Sequence, residues 1–158
     1  MVLSLSSPAF GDGEKIPAKY TCEGQDISPQ LDWSGIPKGT ESLTLIVEDP
    51  DAPSGIFTHW IIFNISPDIK GLSEASPTIP RLPNGSLQGG NDFSRIGYGG
   101  PCPPPGKPHR YRFTLYALNK KLDLASGSSR YQVLNGIKNQ ILAQGQLTGI
   151  YQRSRKIR

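Results

Sequence analysis

The chain carries only two histidines, His59 and His109, and they stand at matching places in two separate motifs. His59 sits in EDPDAPSGIFTHW beside Asp49 and Asp51, and His109 opens HRY, with Tyr111 two residues on. Two imidazoles, a carboxylate and a phenol have three kinds of chemistry open to them. They could hold a divalent cation in a facial arrangement. They could form an anion pocket in which ring nitrogens and a hydroxyl donate to phosphate-like oxygens while Asp49 orients a histidine. The third is hydrolysis, with Cys102 near His109 as a nucleophile and base in residue type. Cys102 lies between prolines, with no helix N-terminus to lower its pKa. There is no G-x-S-x-G element and no P-loop lysine motif.

Apolar runs supply the elements that would carry these groups. LTLIVE (43–48) is apolar on both faces and reads as a central strand. FTHWIIFNI (57–65) and YRFTLYAL (111–118) read as two more. Weaker strands are expected near Val2–Ser6 and across Gln146–Gln152. A helix is expected after SGSS, with Leu134, Ile137 and Ile141 on one face and Ser128 or Ser129 as N-cap. The stretch between Ser66 and Ile96 has no strong period and reads as surface loops. Together these give a mainly β, sandwich-like domain spanning 1–158, with one late helix.

Strand alternation brings the polar groups to one rim. Asp49 is in phase with Leu45 and Val47. His59 is in phase with Phe57, Ile61 and Phe63, and His109 and Tyr111 with Phe113, Leu115 and Ala117. A turn through Pro50, Pro53 and Gly55 joins antiparallel neighbours, so Asp49 and His59 share a sheet edge. Each group also has a structural reading: a hydrogen-bonded core histidine, an Asx turn at Asp49–Pro50–Asp51, a packed tyrosine. These separate readings require four polar groups to converge on one rim by coincidence.

Composition narrows the function classes. The net charge of +4 is mild, and part of it lies in Arg153, Arg155, Lys156 and Arg158. Without basic–aromatic interleaving elsewhere, nucleic-acid binding is not expected. No apolar run approaches the ~20 residues of a membrane span, and the N-terminus lacks the charge and apolar stretch of a secretory signal. A cytoplasmic protein is the expectation, with Cys22 and Cys102 as two free thiols and their pairing, as in a hyperthermophile cytosol, the alternative. The proline- and glycine-rich stretch GGPCPPPGKPHRY (99–111) reads as a rigid arm that sets His109 and Tyr111 in place.

These motifs together resemble the phosphatidylethanolamine-binding protein family, also called the Raf kinase inhibitor-like proteins. DPDAPSGIFTHW (49–60) and GYGGPCPPPGKPHRYRFTLYAL (97–118) carry the resemblance. YTCEGQDISPQLDWSGIP, QGGNDFSRIGYGG and GQLTGIYQR extend it over essentially the whole chain. It implies an antiparallel β-sandwich with Greek-key connections, one or two peripheral helices, and a pocket for phosphate, acetate or the phosphoethanolamine head group. The pocket residues it implies are Asp49, Asp51, His59, His109 and Tyr111, with Gly100 and Pro101 closing the loop. It also suggests a cis peptide at Ala52–Pro53. The implied protein is a non-enzymatic binder without a cofactor, acting on a protein partner in protease inhibition or kinase signalling. A metal- or cysteine-dependent hydrolase using the same rim, and a lipid-head-group carrier, are the rival readings. The sequence stops shortly after TGIYQR, as in the shorter bacterial and archaeal members, whereas animal members add a C-terminal helix. That implies a more open pocket mouth, or one covered by a second copy in a homodimer, and weakens transfer of the animal kinase role.

Overall fold

The computed structural model describes residues 3–153. Its strands are β1 (Ser4–Ser6), β2 (Glu14–Lys15), β3 (Leu31–Ser34), β4 (Ser42–Asp49), β5 (Phe57–Ile65), β6 (Gly71–Leu72), β7 (Leu87–Gln88), β8 (His109–Leu118) and β9 (Ile141–Tyr151). One helix, α1, spans Arg130–Ile137. Every residue of β4 is buried, as its two apolar faces require, and it lies between β8 and β5 in a six-stranded sheet of order β2-β9-β8-β4-β5-β7. The neighbours β4 and β8 are far apart in sequence, giving the Greek-key-like return. All ladders of this sheet are antiparallel except the two-residue pairing of β2 with β9.

One face of the sheet packs on a smaller sheet of order β1-β3-β6. Leu45, Val47, Trp60, Ile62, Phe113 and Leu115 from the large sheet meet Leu5, Leu31, Trp33 and Leu72 from the small one. The other face carries Ile46, Ile61 and Phe63 and is covered by Val133 and Ile137 of α1. Mainly β architecture in two layers with one helix is therefore what the chain adopts.

Several local expectations need correction. Ser129 is the N-cap: it accepts from Gln132 N at 3.2 Å, and the Gln132 side chain accepts from Ser129 N at 2.9 Å, a capping box. The helix stops at Ile137, and Asn139 takes a left-handed conformation at φ 65°. Ile141 therefore opens β9, and the buried helical stripe is Val133 and Ile137. The 66–96 excursion is more than surface loop, because it buries Leu72, Leu82 and Gln88. Gln88 Oε1 accepts from Trp60 Nε1 at 2.7 Å while its Nε2 donates to Pro77 O and Ile79 O. The first strand occupies Ser4–Ser6, and Val2 lies outside the described residues.

Candidate functional site

On β8 the alternation holds: Tyr111, Phe113, Leu115 and Ala117 all enter the inter-sheet core, and His109 begins the same row. Asp49 ends the matching row of β4. His59 reaches this face by a different route. Val47 pairs with Trp60 while Glu48 pairs with Thr58, so β5 carries one extra residue at His59. This β-bulge reverses the alternation. Ile61 and Phe63 point toward α1, whereas Phe57, opposite Asp49, and His59 both border the cavity on the core side. The phase expected for His59 with Ile61 and Phe63 is therefore wrong, although the rim it was assigned to is right.

The bulge is held by a loop rather than a strand. His59 Nδ1 donates to Gly99 O at 2.7 Å, and Gly99 N donates back to His59 O at 3.0 Å. Thr58 and Asp92 exchange a second pair, Thr58 N to Asp92 Oδ2 at 2.7 Å and Asp92 N to Thr58 O at 2.9 Å. These contacts carry Phe93 over the rim, where its ring meets Phe57 and His59 edge-on.

A cavity of about 210 Å³ opens between these elements. Asp49, His59, His109 and Tyr111 line it, together with Ala52, Pro53, Phe57, Phe93, Cys102, Pro103 and Pro104. Asp49 and His109 form a buried pair, with His109 Nδ1 at 2.6 Å from Asp49 Oδ2. The other Asp49 oxygen accepts from Asp51 N at 2.7 Å, which is the Asx turn. Nδ1 of each histidine thus faces an acceptor oxygen, and the second ring nitrogen is left for a ligand. Burial pushes the His59 pKa below its ordinary value, so this ring is neutral at pH 7 with Nε2 as acceptor. Tyr111 Oη is buried and makes no hydrogen bond of ordinary geometry among the described residues, with the Asp49 carboxylate as its near acceptor. Burial and the Asp49 charge hold its pKa well above the ordinary phenol, so it stays a donor.

The remaining residues of the expected set lie outside the cavity wall. Asp51 accepts from Arg110 N, Nε and Nη2 at 2.9–3.0 Å, and this guanidinium draws its pKa down to about 2. Its role is to tie the 49–55 turn to β8. Gly100 and Pro101 stand behind the wall: Gly100 N donates to Asp26 Oδ1 at 2.8 Å and Pro101 O accepts from Cys22 N at 3.1 Å. No cis peptide occurs among the described residues, so Ala52–Pro53 is trans. Pro53 fits the second position of a turn closed by Gly55 N donating to Ala52 O at 3.1 Å.

The expectation of two free thiols is overturned. Cys22 and Cys102 form a disulfide across 80 residues of sequence, with Cα atoms 5.4 Å apart. The Cys22 N to Pro101 O bond brings the two segments side by side. The cavity has an apolar collar of Phe57, Phe93, Pro103 and Pro104; of these, Phe93 was not singled out from the sequence, where its signal is a lone aromatic in the polar stretch GGNDFSR. Alongside lies an open groove of about 940 Å³, lined by Lys15, Lys107 and Arg153 with Gly106, Pro108, Ile150 and Gln152.

The arrangement presents one buried donor, Tyr111 Oη, and the outer nitrogens of two imidazoles to a small polar group, inside an apolar collar. No group of three or more metal-ligating side chains that could hold an ion occurs among the described residues. Among the described residues no helix is long and apolar enough to cross a membrane.

Residues 6–152 match the profile of the phosphatidylethanolamine-binding protein family. A UPF0098 protein of Methanothermobacter thermautotrophicus is 51% identical over 151 residues, 96% of this chain and 99% of that one. Another, from Aquifex aeolicus, is 46% identical over 96% of this chain and 90% of its own. A crystal structure of a phosphatidylethanolamine-binding protein homologue from Chlamydia trachomatis superposes with a TM-score of 0.88 at 39% identity, covering 97% of this chain and 99% of that one. E. coli YbcL, described as a member of the mammalian family, gives 0.91 at 35% identity over 98% and 100%. The chain belongs to the phosphatidylethanolamine-binding protein family, in its short prokaryotic form.

Proposed function

We propose that the pocket binds a phosphate-like anion, free or as a phosphoethanolamine head group, and that the protein acts without chemistry of its own as a regulator of a protein partner. The observation that carries this reading is the Tyr111 hydroxyl: buried, held protonated, without a hydrogen bond of ordinary geometry among the described residues, and on the wall of the cavity. A buried hydroxyl left unmatched costs about 1–3 kcal/mol, and an anionic oxygen is the acceptor that relieves it. Proton uptake at His59 turns its second nitrogen into a further donor, the His109 ring stands beside it on the wall, and both Asp49 oxygens are already engaged by Asp51 and His109. The family's name points to the same ligand class.

A cysteine nucleophile is the weaker alternative, because the Cys102 sulfur is bonded to Cys22. The pocket volume suits a head group and leaves little room for acyl chain. The cations of the adjoining groove, Lys15, Lys107 and Arg153, complement a partner of acidic character, of the serine-protease or kinase-signalling kind. We place the protein in the cytoplasm, with the disulfide persisting there as it does in hyperthermophile cells.

Thermal unfolding with phosphate, phosphoethanolamine and sulfate tests the binding claim. At ligand a hundredfold above Kd the stabilisation is about 2.7 kcal/mol, and His109→Ala should abolish it. No shift with any of the three anions would remove the anion-pocket reading. A panel of serine proteases assayed with and without the protein tests the regulatory claim.

A further inference from the structure

The segment from Cys102 to Pro108, whose first three residues form one wall of the pocket, is held by few bonds. Four of its seven residues are proline and offer no N–H. Before it, Pro101 O is anchored by Cys22 N; after it, His109 enters β8. Between these points the ties among the described residues are three. Gln152 Nε2 donates to Gly106 O, Arg153 Nη1 lies 3.8 Å from Cys102 Sγ, and the disulfide joins Cys102 to Cys22. Cys22 is exposed and Cys102 half-buried, so a reagent meets Cys22 Sγ first. The Arg153 guanidinium beside Cys102 Sγ favours Cys102 as the leaving thiolate.

We propose that Cys22–Cys102 is a thiol-exchange site for a dithiol reductant, and that its reduction releases the Cys102–Pro108 segment and weakens anion binding in the pocket. The binding half of this proposal rests on the anion-pocket reading above. In the exchange, a reductant thiolate attacks Cys22 Sγ. A reductant–Cys22 bond forms as the Cys22–Cys102 bond breaks, and Cys102 leaves as a thiolate beside Arg153. The second thiol of the reductant, deprotonated, then attacks the mixed disulfide, closes the reductant's own disulfide, and expels Cys22 as a thiolate that takes a proton from water. Two electrons pass from the dithiol to the protein. Cys102, Pro103 and Pro104 line the cavity, so a ligand entering the reduced protein must re-order this wall, and its apparent affinity falls by the fraction of molecules already ordered.

The experiment compares the oxidised full chain with the chain reduced by dithiothreitol, with thiols counted, and uses sulfate as the probe. Reduction should leave the β-sheet circular dichroism in place and speed amide exchange at Gly106 and Lys107. Sulfate Kd should rise about tenfold, equivalent to ~1.4 kcal/mol. The Cys22→Ser/Cys102→Ser double variant should match the reduced protein and ignore the reductant, and Arg153→Met should be reduced more slowly. Unchanged exchange and affinity in the fully reduced chain would overturn the proposal. So would cooperative unfolding on reduction, which would make the bond a staple of the whole fold rather than of the wall. If the oxidised chain binds no sulfate, the anion-pocket reading fails separately, and exchange at Gly106 and Lys107 decides the thiol site.

Discussion

His109 Nδ1 and Asp49 Oδ2 stand 2.6 Å apart, from two adjacent strands whose alternation sends both side chains into the same buried rim. Asp49→Asn keeps the acceptor for Asp51 N but removes the charge facing the ring. Hydrogen bonds to a charged group are worth about 1.5–3 kcal/mol, and urea denaturation should show a loss in that range. Sulfate affinity should fall with it, because the His109 ring loses the carboxylate that orients it. Asp51→Asn should behave differently. Its ion pair with Arg110 is solvent-exposed, so stability should change by less than about 1 kcal/mol and sulfate affinity should hold within twofold.

Tyr111→Phe separates binding from folding. The hydroxyl is buried without a hydrogen bond of ordinary geometry among the described residues, so its removal should leave the ligand-free protein equally stable or more stable, by up to about 1–3 kcal/mol. Sulfate binding should weaken by ten- to a hundredfold, the loss of one charge-assisted hydrogen bond of about 1.5–3 kcal/mol. Paired denaturation and calorimetric titration of the two proteins check both signs at once.

Burial depresses the His59 pKa in the folded state. The unfolded chain therefore takes up this proton first, so the stabilising contribution is intact above about pH 6.5 and is lost as pH falls toward the folded value. Denaturant midpoints should decline over that window, and His59→Gln should flatten the decline. Anion binding has the opposite sign. A neutral His59 Nε2 repels an anionic oxygen, so binding is favoured by proton uptake and sulfate affinity should strengthen from pH 8 to pH 6. Sulfate stays doubly charged over this range, so the ligand's own titration does not enter. Imidazole nitrogen shifts followed by NMR would assign the proton.

Three strands of the large sheet were legible because their apolar runs leave no exposed face, as in Ser42–Asp49, or alternate cleanly, as in His109–Leu118. The rim could be read from β4 and β8 for the same reason. His59 could not be placed by counting, because a bulge leaves no mark in FTHWIIFNI: the extra residue is accommodated by hydrogen bonds to Gly99, Thr58 and Asp92 that form only in the fold. The Cys22–Cys102 bond was hidden likewise. Its 80-residue separation is closed by the packing of the Cys22 segment against Pro101, and no local pattern announces that approach. Gly100 was read as pocket-closing because the GGPCPPP motif as a whole belongs to the wall, whereas the residues that face the cavity begin at Cys102.

That displacement of Gly100 has a consequence that can be measured. A Cβ on this residue would run into Tyr20 O and the Asp26 carboxylate, with Thr21 Cα 3.0 Å away. Two of these are backbone atoms and cannot swing aside, and Asp26 already accepts from Gly100 N. Gly100→Ala should therefore destabilise the chain by about 1–3 kcal/mol, as overpacking does, seen as a lower melting temperature. Gly106→Ala meets no atom within 4 Å and is opposed only by its φ of 134°, so it should cost less through space and more through backbone strain, of order 1–3 kcal/mol. The two variants differ at the pocket. Gly100 lies behind the wall, so folded Gly100→Ala should bind sulfate within about twofold of the parent, whereas Gly106 lies in the segment that carries Cys102, Pro103 and Pro104 of the wall, and its substitution should disturb binding as well as stability.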